Sequence, residues 1–343
     1  MLLPAIAALF VLLLFYNFHW KRRGLPPGPA PWPLVGNSAA FSRRPYASFD
    51  QWRRRFGPVF TFWLGETPTV VFADYATIHE TLVKQADTFA PRFSLGAQSR
   101  LLRSGRFGII EVEGDLWREQ RRFTLQTFRN FGMGRNLMEQ KILAQTEELV
   151  AEMRDEQAAN ESIDLPAMIE RCVGSIICRM LFGESFPKNA FLEYNRLLFR
   201  LGERFFVDPA IVRQWSKDHV RAMVLDSFLA GEDTTSNTLG FLVNHPEVGR
   251  RIERELAEKI GSGRLIQTAD RSALPYLNAV ICETQRLCNL LPLNLFRTNT
   301  KEVEVGGFRL LAGTCIVPQI SAVLFDEKTI AFECCVHVLF AYH

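Results

Sequence analysis

Apolar and polar positions along the chain alternate between helical and strand periods. Leu2 to Trp20 carries no charge except at His19 and is mostly Leu, Ala, Phe and Val. As a helix it would span about 28 Å, close to a bilayer core of about 30 Å. Phe49, Trp52 and Phe56 recur at helical spacing. Val59 to Leu64 and Thr69 to Ala73 read as two strands around Gly65-Glu66, a hairpin. Asp74 is placed to cap a helix through Lys84, and Asp115 another through Arg121-Arg122. Amphipathic stretches run from Asn136 to Ala158 and from Asp164 to Phe182, the second stopping at Gly183. Ser216 opens a mostly apolar helix through Leu239. Pro246-Glu247 starts a charged helix closed by Gly261, and Pro275 starts one through Leu287. Glu302 to Val305 followed by Gly306-Gly307 reads as a second hairpin. No internal repeat is present. The pattern predicts a mainly α fold with a minor β-sheet region.

Composition narrows this. The chain has 343 residues, 48% hydrophobic and 22% charged, which suits a globular core and excludes disorder, collagen and low-complexity stalks. Forty Lys and Arg against 37 Asp and Glu leave a net charge of +3. A general nucleic-acid binder carries a larger basic excess, so no nucleic-acid partner is expected. Seven cysteines without CxxC or zinc-type spacing suggest neither a disulfide framework nor structural zinc. A reducing compartment fits best.

Charge placement bears on the N-terminus. Tyr16, Trp20 and Lys21-Arg22-Arg23 end the apolar run with an aromatic and basic boundary of the cytoplasmic kind. A cleaved signal peptide would carry its positive charge before the run and small residues after it. Residues 1–20 are therefore read as an uncleaved transmembrane anchor with the body in the cytosol. From Lys21 to Arg55, eight basic residues face one acid, Asp50, and such a stretch is attracted to anionic membrane lipid. Pro26 to Pro33 reads Pro-Pro-Gly-Pro-Ala-Pro-Trp-Pro, a stiff extended spacer. Residues 21–36 form a basic, Pro-rich linker.

Three constellations carry candidate chemistry. Ala230-Gly231-Glu232-Asp233-Thr234-Thr235 puts acids and hydroxyls inside an apolar helix, where they need partners. The small Ala-Gly pair permits close approach by something flat, or a local widening of the helix. A hydroxyl and an acid there suit oxygen chemistry with proton relay. A solvated patch is the plain alternative. Glu283 and Arg286 share one helix face at i, i+3, a common surface pair, but among Ala279, Val280, Ile281 and Leu287 they can be partly buried. Trp117 and Arg121, at i, i+4, put an indole N–H and a guanidinium on one face, able to bind a carboxylate, with a basic surface helix as the plain alternative.

Taken in order, these motifs make the chain resemble an animal microsomal cytochrome P450, a haem-thiolate monooxygenase. The likeness also rests on Leu25 to Pro29, Phe56 to Val59, Phe131 to Arg135 and Asn244 to Val248, and it runs from Met1 to about Lys328. It implies an incomplete cytochrome P450-like fold over residues 37–328, with haem b as cofactor. It implies that Trp117, Arg121 and Arg297 contact haem propionates. Thr234 would assist proton delivery during oxygen activation, with Asp233 in the proton path, and Glu283 and Arg286 would form a structural salt bridge. It further implies an NADPH-dependent reductase as electron donor, a small apolar substrate, and an endoplasmic reticulum membrane location.

Three departures qualify the likeness. Residues 329–343 form a divergent tail without the Pro-Glu-Arg-Phe segment or the Phe-x-x-Gly-x-Arg-x-Cys-x-Gly loop that carries the thiolate, so no metal ligand is assigned. Cys334 and Cys335 lack the flanking Gly and Arg. Cys172, Cys178, Cys282 and Cys288 lie in apolar helical contexts and Cys315 in a strand. Between about Phe206 and Trp215 most of the family's pocket roof is missing, and about two helical turns are missing after Leu239. The expected activity is haem-dependent monooxygenation at family level, with this copy inactive. The alternatives are a non-catalytic anchored protein that binds reductase or other partners, and a non-functional splice or gene-model product.

Overall fold

Local signals account for most of the elements in the computed structural model, which describes residues 2–38, 40, 45–93, 107–130, 136–160, 162–182, 222–223, 226–227, 230–231, 234–240 and 244–326. In chain order the helices are α1 (Leu2–Phe18), α2 (Pro45–Phe56), α3 (Tyr75–Ile78), α4 (Gly114–Asn130), α5 (Asn136–Ala159), α6 (Leu165–Phe182), α7 (Pro246–Lys259), α8 (Pro275–Cys288) and α9 (Ile320–Leu324). The strands are β1 (Val59–Leu64), β2 (Thr67–Phe72), β3 (Arg297–Thr298), β4 (Val303–Val305), β5 (Phe308–Leu310) and β6 (Cys315–Pro318). The chain divides into two compact units, Met1–Ser94 with Leu291–Phe332, and Leu95–Leu290 with Glu333–His343.

The first unit is organised by a four-stranded sheet in the order β1-β2-β6-β3. β1 and β2 form the expected hairpin, with Val59 opposite Phe72 and Leu64 opposite Thr67. β2 starts two residues earlier than its apolar run predicts. Pro68, which has no N–H to donate, lies ahead of the Thr69-to-Phe72 stretch that pairs in parallel with β6. Side chains alternate between two buried faces. Phe60, Phe62, Val71 and Val317 pack with Phe49 and Trp52 of α2. Val59, Val70, Phe72 and Ile316 pack on the other side with Phe89, Val305 and Leu310. Burial on both faces explains why these strands are almost wholly apolar rather than alternating.

Asp74 caps α3 as expected, accepting from Thr77 N at 2.6 Å. The helix then widens into a π-turn over His79–Val83. Gly306 and Gly307, with φ of 58° and 79°, make the β4–β5 turn, since positive φ at both central residues is what a tight hairpin twisted with its strands requires. The Pro-rich segment is laid along the sheet: Thr61 N donates to Pro27 O at 2.9 Å. A Cβ on Gly28 would sit 1.8 Å from Thr61 O, so only glycine lets the strut lie this close.

α1 is shorter than the apolar run suggests. It stops at Phe18, and Trp20–Arg22 continues as a 3₁₀ turn. At 1.5 Å per residue α1 is about 25 Å long. Among the described residues no helix is long and apolar enough to cross a membrane.

In the second unit α5 and α6 pack against each other, tied by Arg171 to Glu152 at 3.0 Å and Arg179 to Glu148 at 3.0 Å. Both Glu255 carboxylate oxygens of α7 cap α8, accepting from Tyr276 N at 2.8 Å and Leu277 N at 2.9 Å. Pro275 brings no N–H, so Tyr276 and Leu277 carry the donors that the first turn leaves unpaired, and this cap satisfies both. The helix predicted from Ser216 is described only in part, as helical residues 222–223, 226–227, 230–231 and 234–240.

Candidate functional site

The first unit brings two arginines together. Arg297 begins β3, opposite Ile316 of β6, and an isolated antiparallel bridge sets it across from Arg92. Thr298 N donates to Pro91 O at 2.9 Å and Phe93 N to Phe296 O at 3.1 Å, closing the two segments together on either side of the pair. Both arginines are half-buried. The Arg297 Nη1 donates to Phe89 O at 3.3 Å, while its Nε is buried without a hydrogen-bond partner in the chain. Burial pushes the Arg92 guanidinium down to about 10, with the Arg297 charge adding to the effect. Burial also lowers Arg297. Two like charges in one half-buried place, with a donor left over, form an arrangement that an anion bearing several acceptor oxygens relieves. Nothing local in the sequence marks Arg92 for this role, because only the fold places it beside Arg297.

The second unit carries the remaining candidates. Trp117 and Arg121 do share one face of α4, with Arg121 Cζ 5.3 Å from the Trp117 ring centroid. Asp115 does not cap this helix: α4 begins one residue earlier at Gly114, and the Asp115 carboxylate pairs with Arg118 at 2.6 Å instead. Gln120, between the two candidates, is fully buried. Neither of its side-chain amide atoms has a hydrogen-bond partner in the chain, an arrangement that costs about 1–3 kcal/mol.

Glu283 and Arg286 form a two-pronged pair on α8, Nε to Oε2 and Nη2 to Oε1, both at 2.7 Å. Glu283 is buried, and its hydrogen bonds raise the Arg286 pKa. Planar guanidinium and carboxylate match in this geometry, which adds directionality to charge.

Thr234 lies in a helical stretch, where its Oγ1 donates to Ala230 O at 2.6 Å. Thr238 repeats the pattern onto Thr234 O at 2.8 Å, the helix back-bonding open to threonine. Asp233 lies outside the described residues. Close approach to the Ala-Gly pair is real at Gly231: a Cβ there would meet Ile177 Cδ1 of α6 at 2.9 Å. The neighbour is thus an aliphatic side chain. Asp226, earlier in the same predicted helix, is buried and accepts from Ile109 N at 2.7 Å and Ile110 N at 3.0 Å. Its sequence signal is a lone acid among Ala222, Met223, Val224, Leu225, Phe228 and Leu229.

The cysteines separate from this chemistry. Burial pushes the thiols of Cys172 up to about 11, Cys178 to about 12 and Cys315 to about 11. That is the opposite of what a thiolate ligand needs. Cys334 and Cys335 lie outside the described residues. Among the described residues no cluster of His, Cys, Asp and Glu is arranged to hold a metal.

The described residues form a mainly helical protein with a small mixed sheet and a half-buried arginine pair. The cytochrome P450 family model matches residues 26–212 and 206–329. The chain is 30% identical to rabbit cytochrome P450 2B4 over 400 positions, covering 96% of this chain and 80% of the relative. To rabbit cytochrome P450 2C16 it is 30% identical over 380 positions, covering 90% and 78%, and to rat cytochrome P450 2B2 30% over 400, covering 96% and 80%. The chain belongs to the cytochrome P450 family. Membership implies haem as the cofactor. Tested against the residues present, the Arg92–Arg297 pair with its orphaned buried Nε fits the haem carboxylates, whereas the buried thiols of Cys172, Cys178 and Cys315, pushed up by burial, do not fit a thiolate ligand.

Proposed function

We propose that the chain derives from a haem-dependent monooxygenase of the endoplasmic reticulum membrane, its body facing the cytosol, acting on a small apolar substrate with an NADPH-dependent reductase. In this reading Arg297, with Arg92, holds haem carboxylates, and Trp117 and Arg121 do the same from α4. Thr234 and Asp233 serve proton delivery, and the Glu283–Arg286 pair is structural. Haem itself would supply oxygen activation. Residues 1–20 act as the membrane anchor, α1 being lengthened by the 3₁₀ turn at Trp20–Arg22. The observation that carries the cofactor reading is the buried, unbonded Arg297 Nε beside a second guanidinium.

We further propose that this form of the chain lacks thiolate-ligated activity. Residues 329–343 hold Cys334 and Cys335 without the glycine and arginine framing of the family's ligand loop. Two observations support internal loss as well. The family match falls into two stretches that meet at residues 206–212, and the alignments with relatives, 380 and 400 positions, are longer than the 343 residues of the chain. Expression of the full chain with haem supplied, followed by the reduced, carbon-monoxide-bound spectrum, tests this. Haem retention without a thiolate-type Soret band is the expected result; a thiolate-type band overturns it. The exposed Arg121 and Arg122 on α4 favour a second, non-catalytic reading in which the chain keeps an acidic electron donor's docking face.

A further inference from the structure

The Arg92–Arg297 pair makes a demand that one carboxylate does not meet. Arg297 gives one donor to Phe89 O at 3.3 Å, and its Nε stays buried without a partner in the chain. Arg92 lies across the isolated bridge from it. The backbones that carry the two guanidiniums are held together on both sides of the pair. Thr298 N bonds Pro91 O at 2.9 Å, Phe93 N bonds Phe296 O at 3.1 Å, and Thr300 N bonds Thr88 O at 2.9 Å further along. Two half-buried positive charges call for two negative ones, and each guanidinium offers its donors as a planar fork matched to a carboxylate. A ligand with two carboxylates on one edge answers both, whereas a fatty acid answers one.

Iron is a separate matter. Haem carries its carboxylates on the rim and its iron at the centre, so a protein can hold the one without holding the other. A thiolate ligand needs a lowered pKa. Burial moves four of the five described thiols the other way: Cys172 and Cys315 up to about 11, Cys178 to about 12, and Cys288 upward as well. Residues 329–343 carry Cys334 and Cys335 without flanking glycine or arginine. Among the described residues no group of three or more His, Cys, Asp and Glu is arranged to hold a metal. The grip that the described residues offer is on carboxylates rather than on iron.

We propose that this chain binds porphyrin dicarboxylates without regard to the metal: the Arg92–Arg297 pair selects the ligand by its two carboxylates, and iron-free protoporphyrin binds as tightly as haem. The inference rests on the reading of the pair as the haem-carboxylate site and deepens it by naming the ligand class. Tetrapyrrole dicarboxylates with iron, with zinc or with no metal in the ring belong to that class. Esterified porphyrins, which keep the apolar ring and lose both charges, fall outside it, as do lipids with a single carboxylate.

The test titrates the purified full chain in detergent with haem, protoporphyrin IX and protoporphyrin IX dimethyl ester, reading each by quenching of the emission of its six tryptophans. Dissociation constants for haem and protoporphyrin should agree within about threefold. The ester should bind roughly tenfold or more weakly, having lost the charge-assisted bonds. Arg297→Met should weaken both acids about tenfold and leave the ester unchanged. Arg297→Lys, which keeps the charge without the planar fork, should fall between wild type and methionine. A preference for haem over protoporphyrin larger than about threefold reveals a bond to iron. That result overturns the metal-indifferent binding and leaves the carboxylate site standing. An ester that binds as well as the two acids removes the carboxylate site itself, and this inference with it.

Discussion

Replacing Arg297 with methionine should stabilise the haem-free chain while weakening its hold on haem. The wild-type pair places two guanidiniums in one half-buried place, Arg92 driven down to about 10 by burial and by Arg297. A base whose folded pKa is lowered destabilises the fold wherever it is charged. That cost is therefore present across neutral pH and is relieved only as pH rises above about 10. Discounted for partial solvent screening, removing one of the two charges regains about 1–2 kcal/mol. Methionine fills similar volume but loses the 3.3 Å bond to Phe89 O, which returns about 0.5–1 kcal/mol. The net gain is about 1 kcal/mol, a rise in melting temperature of roughly 2–4 °C. Urea and thermal unfolding of the haem-free full chain measure it. Titration with haem should show the reverse, an affinity loss of about tenfold for one charge-assisted hydrogen bond. If Arg297→Met destabilises the haem-free chain by more than the Phe89 bond can explain, or binds haem as tightly as the wild type, the carboxylate-cradle reasoning is wrong.

Two further outcomes follow from single side chains. Gln120→Leu, which removes a fully buried amide with no bond to lose, should stabilise the chain by about 1–2 kcal/mol; a measured loss would mean that the amide has a use in the loaded protein. Glu283→Gln, which keeps shape but breaks the charge pair with Arg286, should cost about 1–3 kcal/mol of unfolding free energy, and Glu283→Asp should fail to rescue it because the shorter side chain cannot reach both guanidinium nitrogens.

Local chemistry made much of this protein legible in sequence. The helices at 45–56, 136–159, 165–182, 246–259 and 275–288 follow from apolar spacing and proline starts. The Gly306-Gly307 hairpin follows from two residues that accept positive φ. Glu283 and Arg286 meet because three positions along a helix are neighbours in any surroundings. The family likeness was readable too, because its motifs are short and ordered along the chain.

Other features depend on distant parts of the chain. Arg92 joins Arg297 only because β3 pairs with β6 and folds back on the 91–93 segment. Asp226 reaches Ile109 and Ile110, and Asn17 reaches Pro31, through contacts that no periodicity encodes. The parallel pairing of β2 with β6 closes most of the chain into a loop. Such closures are set by the competition between loop entropy and the apolar faces they bury. The sequence alone determined the elements, the local ion pair and the family. The tertiary structure decided which charges are buried together, because only the paired strands and the returning 91–93 segment set Arg92 beside Arg297.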